Sequence, residues 1–166
     1  PGAEVSGWVE SVGSGVTDLK AGDRVLYIGV FGGMAEKAVV NAASCIRLPD
    51  HIPLDIAATL GMAYGTTIYA LEERAQLRAG ETLAVLGAAG GVGLAAVKIG
   101  KAMGARVIAA ASTPEKRQLC LDSGADDVID YANEDLKKAL KAKTGGLGAD
   151  VVYDPVGDRF TEPALR

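Results

Sequence analysis

A glycine-rich turn at residues 87–93 is the stretch of this chain whose residue types and spacing are best suited to chemistry. It follows an apolar run at residues 83–86, which is typical of a strand buried on both faces of a parallel sheet. Apolar residues then recur at helical spacing. In such a unit, Gly90 lets the backbone approach a pyrophosphate, and Gly93 lets the helix pack close to the strand. The pattern Ala88-x-Gly90-x-x-Gly93 therefore predicts dinucleotide binding. The predicted contact positions in the turn are Ala89, Gly90, Gly91, Val92 and Gly93.

A glycine turn between a strand and a helix also occurs in P-loops and as a purely structural feature. A P-loop is excluded, because Leu94 stands where its lysine would be needed. A purely structural turn is the alternative, but further strand and helix patterns follow the turn, as in a doubly wound sheet.

The end of the second predicted strand, at residues 106–111, indicates the type of cofactor. An acidic residue at this point usually holds a ribose 2′-hydroxyl, whereas a 2′-phosphate needs neutral donors and a cation. This chain has Ser112 there and Lys116 four residues later, with Glu115 as the only nearby acid. The residues predict NADPH, unless Ser112 is only a helix cap and Lys116 only a solvated lysine.

Short strands are predicted before residue 45, around residues 5–9, 24–28 and 35–40, as in a small barrel. About forty-five residues are too few to close and stabilise a barrel alone. A linker follows at residues 48–53, in which His51 is interpreted as a surface residue.

Two helices are predicted between the linker and the glycine turn. The first starts at Asp55 and is broken by Gly61, and the second covers residues 63–76. Its predicted buried face comprises Ile68, Leu71 and Ala75.

After the glycine turn, the pattern alternates between strands and helices. Further strands are predicted at residues 127–131 and 149–154, with helices at 114–124, 134–143 and 158–165. The fold class is therefore α/β, with an incomplete doubly wound parallel sheet.

Composition excludes several classes of function. A net charge of −4 without a basic cluster argues against a nucleic-acid partner. The two cysteines, Cys45 and Cys120, are too few for a disulfide framework or a four-cysteine zinc site, and Cys120 is predicted to be a core residue. No apolar run is long enough to span a membrane, so we expect a soluble, cytoplasmic protein, although a missing upstream segment could carry a targeting signal.

Seven motifs together resemble the medium-chain dehydrogenase/reductase superfamily, and within it the zinc-independent NADPH:quinone oxidoreductases related to zeta-crystallin. They are Gly-Asp-Arg-Val at 22–25, Gly-Gly-Met-Ala-Glu at 32–36, Ala-Tyr-Gly-Thr-Thr at 63–67, Gly-Glu-Thr-Leu at 80–83, the turn at 87–93, Gly-Ala-Asp at 124–126 and Asp-Tyr at 130–131. The resemblance implies a fragment of a longer family chain. It implies part of a GroES-like catalytic domain at residues 1–50, a linker with interdomain helices at 51–80, and part of a Rossmann domain at 81–166.

The family resemblance also implies roles for individual residues. Ser112 and Lys116 correspond to 2′-phosphate contacts, and Tyr131 corresponds to a residue near the adenosine end. Tyr64 and Thr66 lie on the helix that joins the two domains, and Thr66 corresponds to a threonine beside the nicotinamide amide. The turn at Val156 and Gly157 corresponds to a turn near the nicotinamide ribose. Tyr131 and Thr66 can also be interpreted structurally, as a strand-end tyrosine and a packing threonine. No catalytic residue is assigned.

The resemblance implies hydride transfer from NADPH to a small quinone or an activated alkene, without zinc. The alternatives are an enoyl-thioester or alkenal reductase and a non-catalytic NADPH-binding protein. A homodimer is expected. Residues 1–166 alone are expected to hold the phosphate-bearing half of NADPH without turnover, and to associate through an apolar strand edge at residues 151–153.

Overall fold

The computed structural model describes all of residues 1–166 and divides them into two compact units, residues 1–65 and 66–166. The first contains a three-stranded antiparallel sheet in the order β1 (Glu4–Trp8), β2 (Arg24–Ile28) and β3 (Cys45–Arg47). The helix α1 (Leu54–Ala57) follows, and α2 (Leu60–Ile68) begins in this unit.

The linker is held against the central strand by Arg24. Its guanidinium donates hydrogen bonds to the carbonyl oxygens of Pro49, Asp50 and Ile52. His51 is exposed, as predicted. One charged side chain therefore satisfies three carbonyl groups of a segment that has no regular structure.

The strand predicted at residues 35–40 is wrong, because the segment forms no strand. The segment ends in Val39 and Val40, but a β-strand is stable only when a neighbour pairs with its backbone groups. In the described chain the first sheet ends at β1 and β3, and no strand pairs with this segment. Composition alone could not reveal this.

The prediction that Gly61 breaks a helix is also wrong, because α2 runs through it. A Cβ at this position would lie 2.7 Å from Cδ1 of Ile28. The carboxylate of Glu4 accepts a hydrogen bond from the N–H of Met62 at 2.8 Å. Gly61 thus provides room for β1 and β2 against the helix, and the break falls earlier, after Ala57.

The predicted helix at residues 63–76 changes its geometry partway. A π-helical segment, Tyr69–Arg74, follows α2, and Gln76 has a φ of 51°. The wider turn changes which residues face inward: Leu71 is buried as predicted, but Ile68 and Ala75 are exposed. The predicted face is therefore wrong at two of its three positions.

The second unit is built on a parallel sheet in the order β6-β5-β4-β7. Its strands are β4 (Thr82–Val85), β5 (Arg106–Ala111), β6 (Asp127–Asp130) and β7 (Val151–Tyr153), and its helices are α3 (Gly91–Ala102), α4 (Pro114–Asp122), α5 (Leu136–Lys143) and α6 (Thr161–Ala164). The α/β fold class is confirmed, while the predicted helix at 158–165 is a 3₁₀ turn followed by α6.

Both faces of this sheet are covered by apolar side chains. Alternate strand residues, such as Val85 and Val107, pack with α3 and with Cys120 of α4, which is fully buried as predicted. The intervening residues, such as Ile108, pack with α5 and with Ala164. This two-sided burial explains why β4 and β5 are continuous apolar runs. None of the helices is long and apolar enough to cross a membrane.

Candidate dinucleotide-binding site

The glycine turn lies at the carboxyl end of β4 and is tied to both neighbouring strands. The N–H of Leu86 donates to the carbonyl of Tyr153 in β7 at 2.9 Å, and the N–H of Ala88 donates to the carbonyl of Ala110 in β5 at 3.1 Å. β5 and β6 lie on one side of β4 and β7 lies on the other, so the strand order reverses at β4. The turn therefore lies at the switch point where doubly wound sheets bind ligands.

Two glycines at the start of α3, Gly91 and Gly93, differ in how much space surrounds them. A Cβ at Gly93 would lie 2.5 Å from the carbonyl oxygen of Gly87, so no side chain fits between turn and helix. A Cβ at Gly91 would have no heavy atom within 4 Å. No side chain caps this end of α3. The first N–H groups of the helix, at Gly91 and Val92, are therefore accessible to an anion, and their partial positive charge favours a phosphate.

A small cavity of about 110 Å³ lies beside the turn. Its lining residues are Gly87, Ala89, Gly90, Ala111, Lys116 and Tyr131. Several residues predicted from the sequence thus come together, although they are far apart in the chain. Ser112 follows the cavity residue Ala111 but does not itself line the cavity. At the next residue, Thr113 caps α4 by accepting from the N–H of Lys116 at 3.3 Å.

Lys116 is the one charged side chain that lines this cavity, and no carboxylate neutralises its charge. Its neighbour Arg117 lies 2.8 Å from a carboxylate oxygen of Asp130. A hydrogen bond from Asn133 lowers the pKa of Asp130, and the charge of Arg117 lowers it further. Burial acts in the opposite direction, but the pKa stays below its usual value. Lys116, in contrast, forms no ion pair with any carboxylate of the chain. The arrangement therefore provides one positive charge for an anionic ligand.

The ring of Tyr131 packs against the ring of Phe160, a contact that the sequence does not predict. Its ring centroid lies 4.8 Å from that of Phe160, with the planes inclined by 54°. The guanidinium carbon of Arg159 lies 4.9 Å from the Phe160 centroid. Phe160 follows β7 in the chain but packs beside the end of β6, and its sequence neighbourhood predicts only a helix. No local pattern in the sequence indicates this pairing.

The loop after β7 approaches the glycine turn from the other side of β4. Cγ2 of Val156 is only 2.6 Å from the place where a Cβ on Gly87 would lie. The carboxylate of Asp154, which the sequence does not single out either, accepts hydrogen bonds from the loop itself. Burial tends to raise the pKa of Asp154, but hydrogen bonds from Thr161, Gly157 and Val156 outweigh it, and the pKa is lowered.

The sequence predicts that Thr66 lines the site, but the threonine that the structure buries is its neighbour, Thr67. Thr66 is exposed on α2, whereas Thr67 is fully buried. The hydroxyl of Thr67 lies 3.0 Å from the hydroxyl of Tyr153 in β7. Tyr64 is half-buried and belongs to the unit formed by residues 1–65. The roles of Tyr64 and Thr66 remain predictions.

Potential metal ligands do not cluster in this chain. Among residues 1–166, no three of the histidine, cysteine, aspartate and glutamate side chains are placed to hold one ion. Cys120 is fully buried, and burial raises the pKa of its thiol. This cysteine therefore acts as a small core residue rather than as a reactive or ligating group.

A GroES-like part followed by a doubly wound parallel sheet with a dinucleotide-type turn defines a class of two-part dehydrogenase folds. Residues 1–50 match the family described as alcohol dehydrogenase GroES-like domain, and residues 91–166 match the family described as zinc-binding dehydrogenase. The chain belongs to the medium-chain dehydrogenase/reductase superfamily.

Similar proteins are quinone oxidoreductases and enoyl reductases. The quinone oxidoreductase-like protein 2 of Bos taurus is 41% identical over 100% of this chain and 48% of its own length. The structure of the Escherichia coli quinone oxidoreductase complexed with NADPH has 40% identity and a TM-score of 0.91, covering 99% of this chain and 51% of that one. The CurK enoyl reductase has 28% identity and a TM-score of 0.90, covering 98% and 48%. The chain thus spans about half the length of these relatives.

Proposed function

We propose that this chain forms the cofactor-binding part of an NADPH-dependent oxidoreductase that reduces a quinone or a similar electron-poor acceptor without zinc. The observation that carries the proposal is the cavity that joins the glycine turn to Lys116 and Tyr131. A dinucleotide with a 2′-phosphate needs an open helix N-terminus for its pyrophosphate and a separate cation for the third phosphate. Similarity to an oxidoreductase solved with NADPH supports the same assignment.

The residues present fit this cofactor. Close packing around Gly93 holds the turn against α3, and the open space at Gly91 leaves room for a pyrophosphate. Lys116 would bind the 2′-phosphate, and Tyr131 would pack against the adenosine. Ser112, at the end of β5, would supply a neutral donor nearby. When bound, NADPH supplies the hydride, and the chain supplies orientation and charge.

The proposal is tested by titrating residues 1–166 with NADPH and NADH under the same conditions, for example by calorimetry. We expect NADPH to bind about ten to a hundred times more tightly, because one charge-assisted contact to phosphate contributes roughly 1.5–3 kcal/mol. Equal affinities, or no binding of either cofactor, would contradict the proposal.

The acceptor is a separate question. Relatives named quinone oxidoreductases favour a quinone, whereas the similarity to the CurK enoyl reductase supports an enoyl thioester as the second candidate. NADPH consumption by the full-length protein carrying this chain, measured with a quinone, with an enoyl thioester and with neither, separates the two. If neither acceptor raises consumption above background, a non-catalytic NADPH-binding protein is favoured.

Self-association is proposed on a different observation. β7 lies at one end of the four-stranded order, so its outer backbone groups are not paired with another strand of this chain. An edge of this kind tends to pair with a second strand. We expect sedimentation velocity of residues 1–166 to show a dimer or larger species, and a monomer over the whole concentration range would contradict this.

A further inference from the structure

The segment after β7 has an unusual backbone conformation. Gly157 has φ 73° and ψ −153°, and Asp158, which is not a glycine, has φ 57°. The conformation of Gly157 is open essentially only to glycine. Aspartate adopts the left-handed region more readily than most residues, although at some cost in free energy. Contacts within the loop therefore contribute to holding this turn.

The carboxylate of Asp154 provides that restraint. Oδ1 accepts hydrogen bonds from the N–H of Val156 at 2.9 Å and from the N–H of Gly157 at 2.8 Å. Oδ2 accepts a hydrogen bond from the hydroxyl of Thr161 at 2.6 Å. The side chain thus connects the end of β7, the turn and the start of α6. Hydrogen bonds to a charged acceptor are about twice as strong as those between neutral groups.

The restrained turn lies where the second half of a dinucleotide would pass. The cavity with Lys116 and Tyr131 lies on the β5 and β6 side of the glycine turn, which is the adenosine side. A dinucleotide crosses the switch point of a doubly wound sheet, so its other half continues toward β7. Val156 packs on Gly87 on that side, and Asp154 determines its position.

We propose that Asp154 is a positioning residue for the nicotinamide-ribose half of the cofactor, acting through the backbone of Val156 and Gly157. This inference rests on the proposed NADPH binding. It assigns Asp154 no proton transfer, because both of its oxygens are occupied as acceptors by N–H and O–H donors. The lowered pKa of Asp154 agrees with a carboxylate that stays ionised at neutral pH.

Three ligands of increasing length, titrated into the full-length protein that carries this chain, separate this role from general stabilisation. The compound 2′,5′-ADP carries only the adenosine half, 2′-phospho-ADP-ribose adds the pyrophosphate and the second ribose, and NADPH adds the nicotinamide. Asp154→Asn retains the shape of the side chain, removes its charge and replaces one accepting oxygen by an NH2 donor. We expect it to weaken 2′-phospho-ADP-ribose and NADPH by about tenfold, the equivalent of one charge-assisted contact, and to leave 2′,5′-ADP within about twofold of wild type.

Matched variants complete the test. Asp158→Asn makes the same chemical change in the same loop at an exposed carboxylate, and we expect wild-type affinities for all three ligands. Thr161→Val removes only the bond to Oδ2, and we expect a smaller loss with the same ligand pattern. This variant keeps the test decisive if Asp154→Asn does not fold.

Two outcomes would overturn the inference while leaving NADPH binding intact. Either the Asp154 and Thr161 variants bind all three ligands as wild type does, or they lose affinity for all three equally. Failure of the proposed function looks different, because the wild-type full-length protein would then bind none of the three ligands.

Discussion

The rings of Tyr131 and Phe160 lie 4.8 Å apart, which joins the end of β6 to the segment that follows β7 at the opposite edge of the sheet. Tyr131 also lines the cavity beside the glycine turn. Because Phe160 comes from a distant part of the chain, the position of Tyr131 depends on correct folding of the residues after β7.

This ring contact predicts an energetic coupling. Aromatic pairs contribute about 0.5–1.5 kcal/mol beyond the area that they bury. We expect Tyr131→Leu and Phe160→Leu each to lower the free energy of unfolding, and the double variant to lose less than the sum, by about that coupling. Urea unfolding of the four proteins measures it. Strict additivity would show that the two rings do not stabilise one another.

The two glycines at the start of α3 predict opposite outcomes on substitution. Gly93→Ala places a Cβ 2.5 Å from the Gly87 carbonyl oxygen, so we expect a loss of about 1–3 kcal/mol in stability from overpacking. Gly91→Ala meets open space, so we expect unchanged or slightly higher stability, together with weaker NADPH binding. Thermal unfolding and cofactor titration measure both effects. Equal stability losses in the two variants would contradict this account of the turn.

Acidic groups at the amino end of the sheet predict how stability depends on pH. Burial tends to raise the pKa of Asp126, but hydrogen bonds from Lys101 and the N–H of Val107 lower it. A hydrogen bond from Arg106 is the largest cause of the lowered pKa of Asp127, and Lys143 adds to it. A carboxylate with a lowered folded pKa contributes stability above its unfolded pKa of about 3.9 and loses it as the pH falls through the folded value.

We therefore expect the free energy of unfolding to decrease as the pH falls below about 4, and Asp126→Asn to make that decrease smaller. Urea unfolding across this range measures it. Asp122→Asn, at an exposed carboxylate on α4, is the control for replacing a carboxylate by an amide. If the free energy of unfolding of Asp126→Asn decreased at low pH as much as that of the wild type, Asp126 would not be a source of the pH dependence.

The parts of the fold that the sequence predicts well have strong local patterns. β2 and β5 begin and end at the predicted residues, because each is a continuous apolar run bounded by turn residues. The glycine turn is predictable for the same reason. Residues 35–40, in which only the last two are valines, form no strand, since their conformation depends on a partner strand rather than on their own pattern.

The candidate site shows the same division. Lys116 is predictable from its place shortly after the second strand of the unit, and Tyr131 from the family resemblance. The structure brings both to one cavity. Phe160 and Asp154 are not, because their importance depends on a ring from another strand and on the backbone of a turn. The sequence does not show which face of α2 turns inward, so it does not distinguish the buried Thr67 from the exposed residue before it.

The central claim, that the chain binds a 2′-phosphorylated dinucleotide through Lys116, is tested most directly by one substitution. Lys116→Ala should weaken NADPH binding by about ten- to a hundredfold and leave NADH binding nearly unchanged, since only NADPH carries the phosphate. Lys98→Ala, at an exposed lysine on α3, is the matched control and should affect neither cofactor. Calorimetric titration of the three proteins with both cofactors measures this. Equal losses for NADPH and NADH in Lys116→Ala, or no loss for either, would contradict the account.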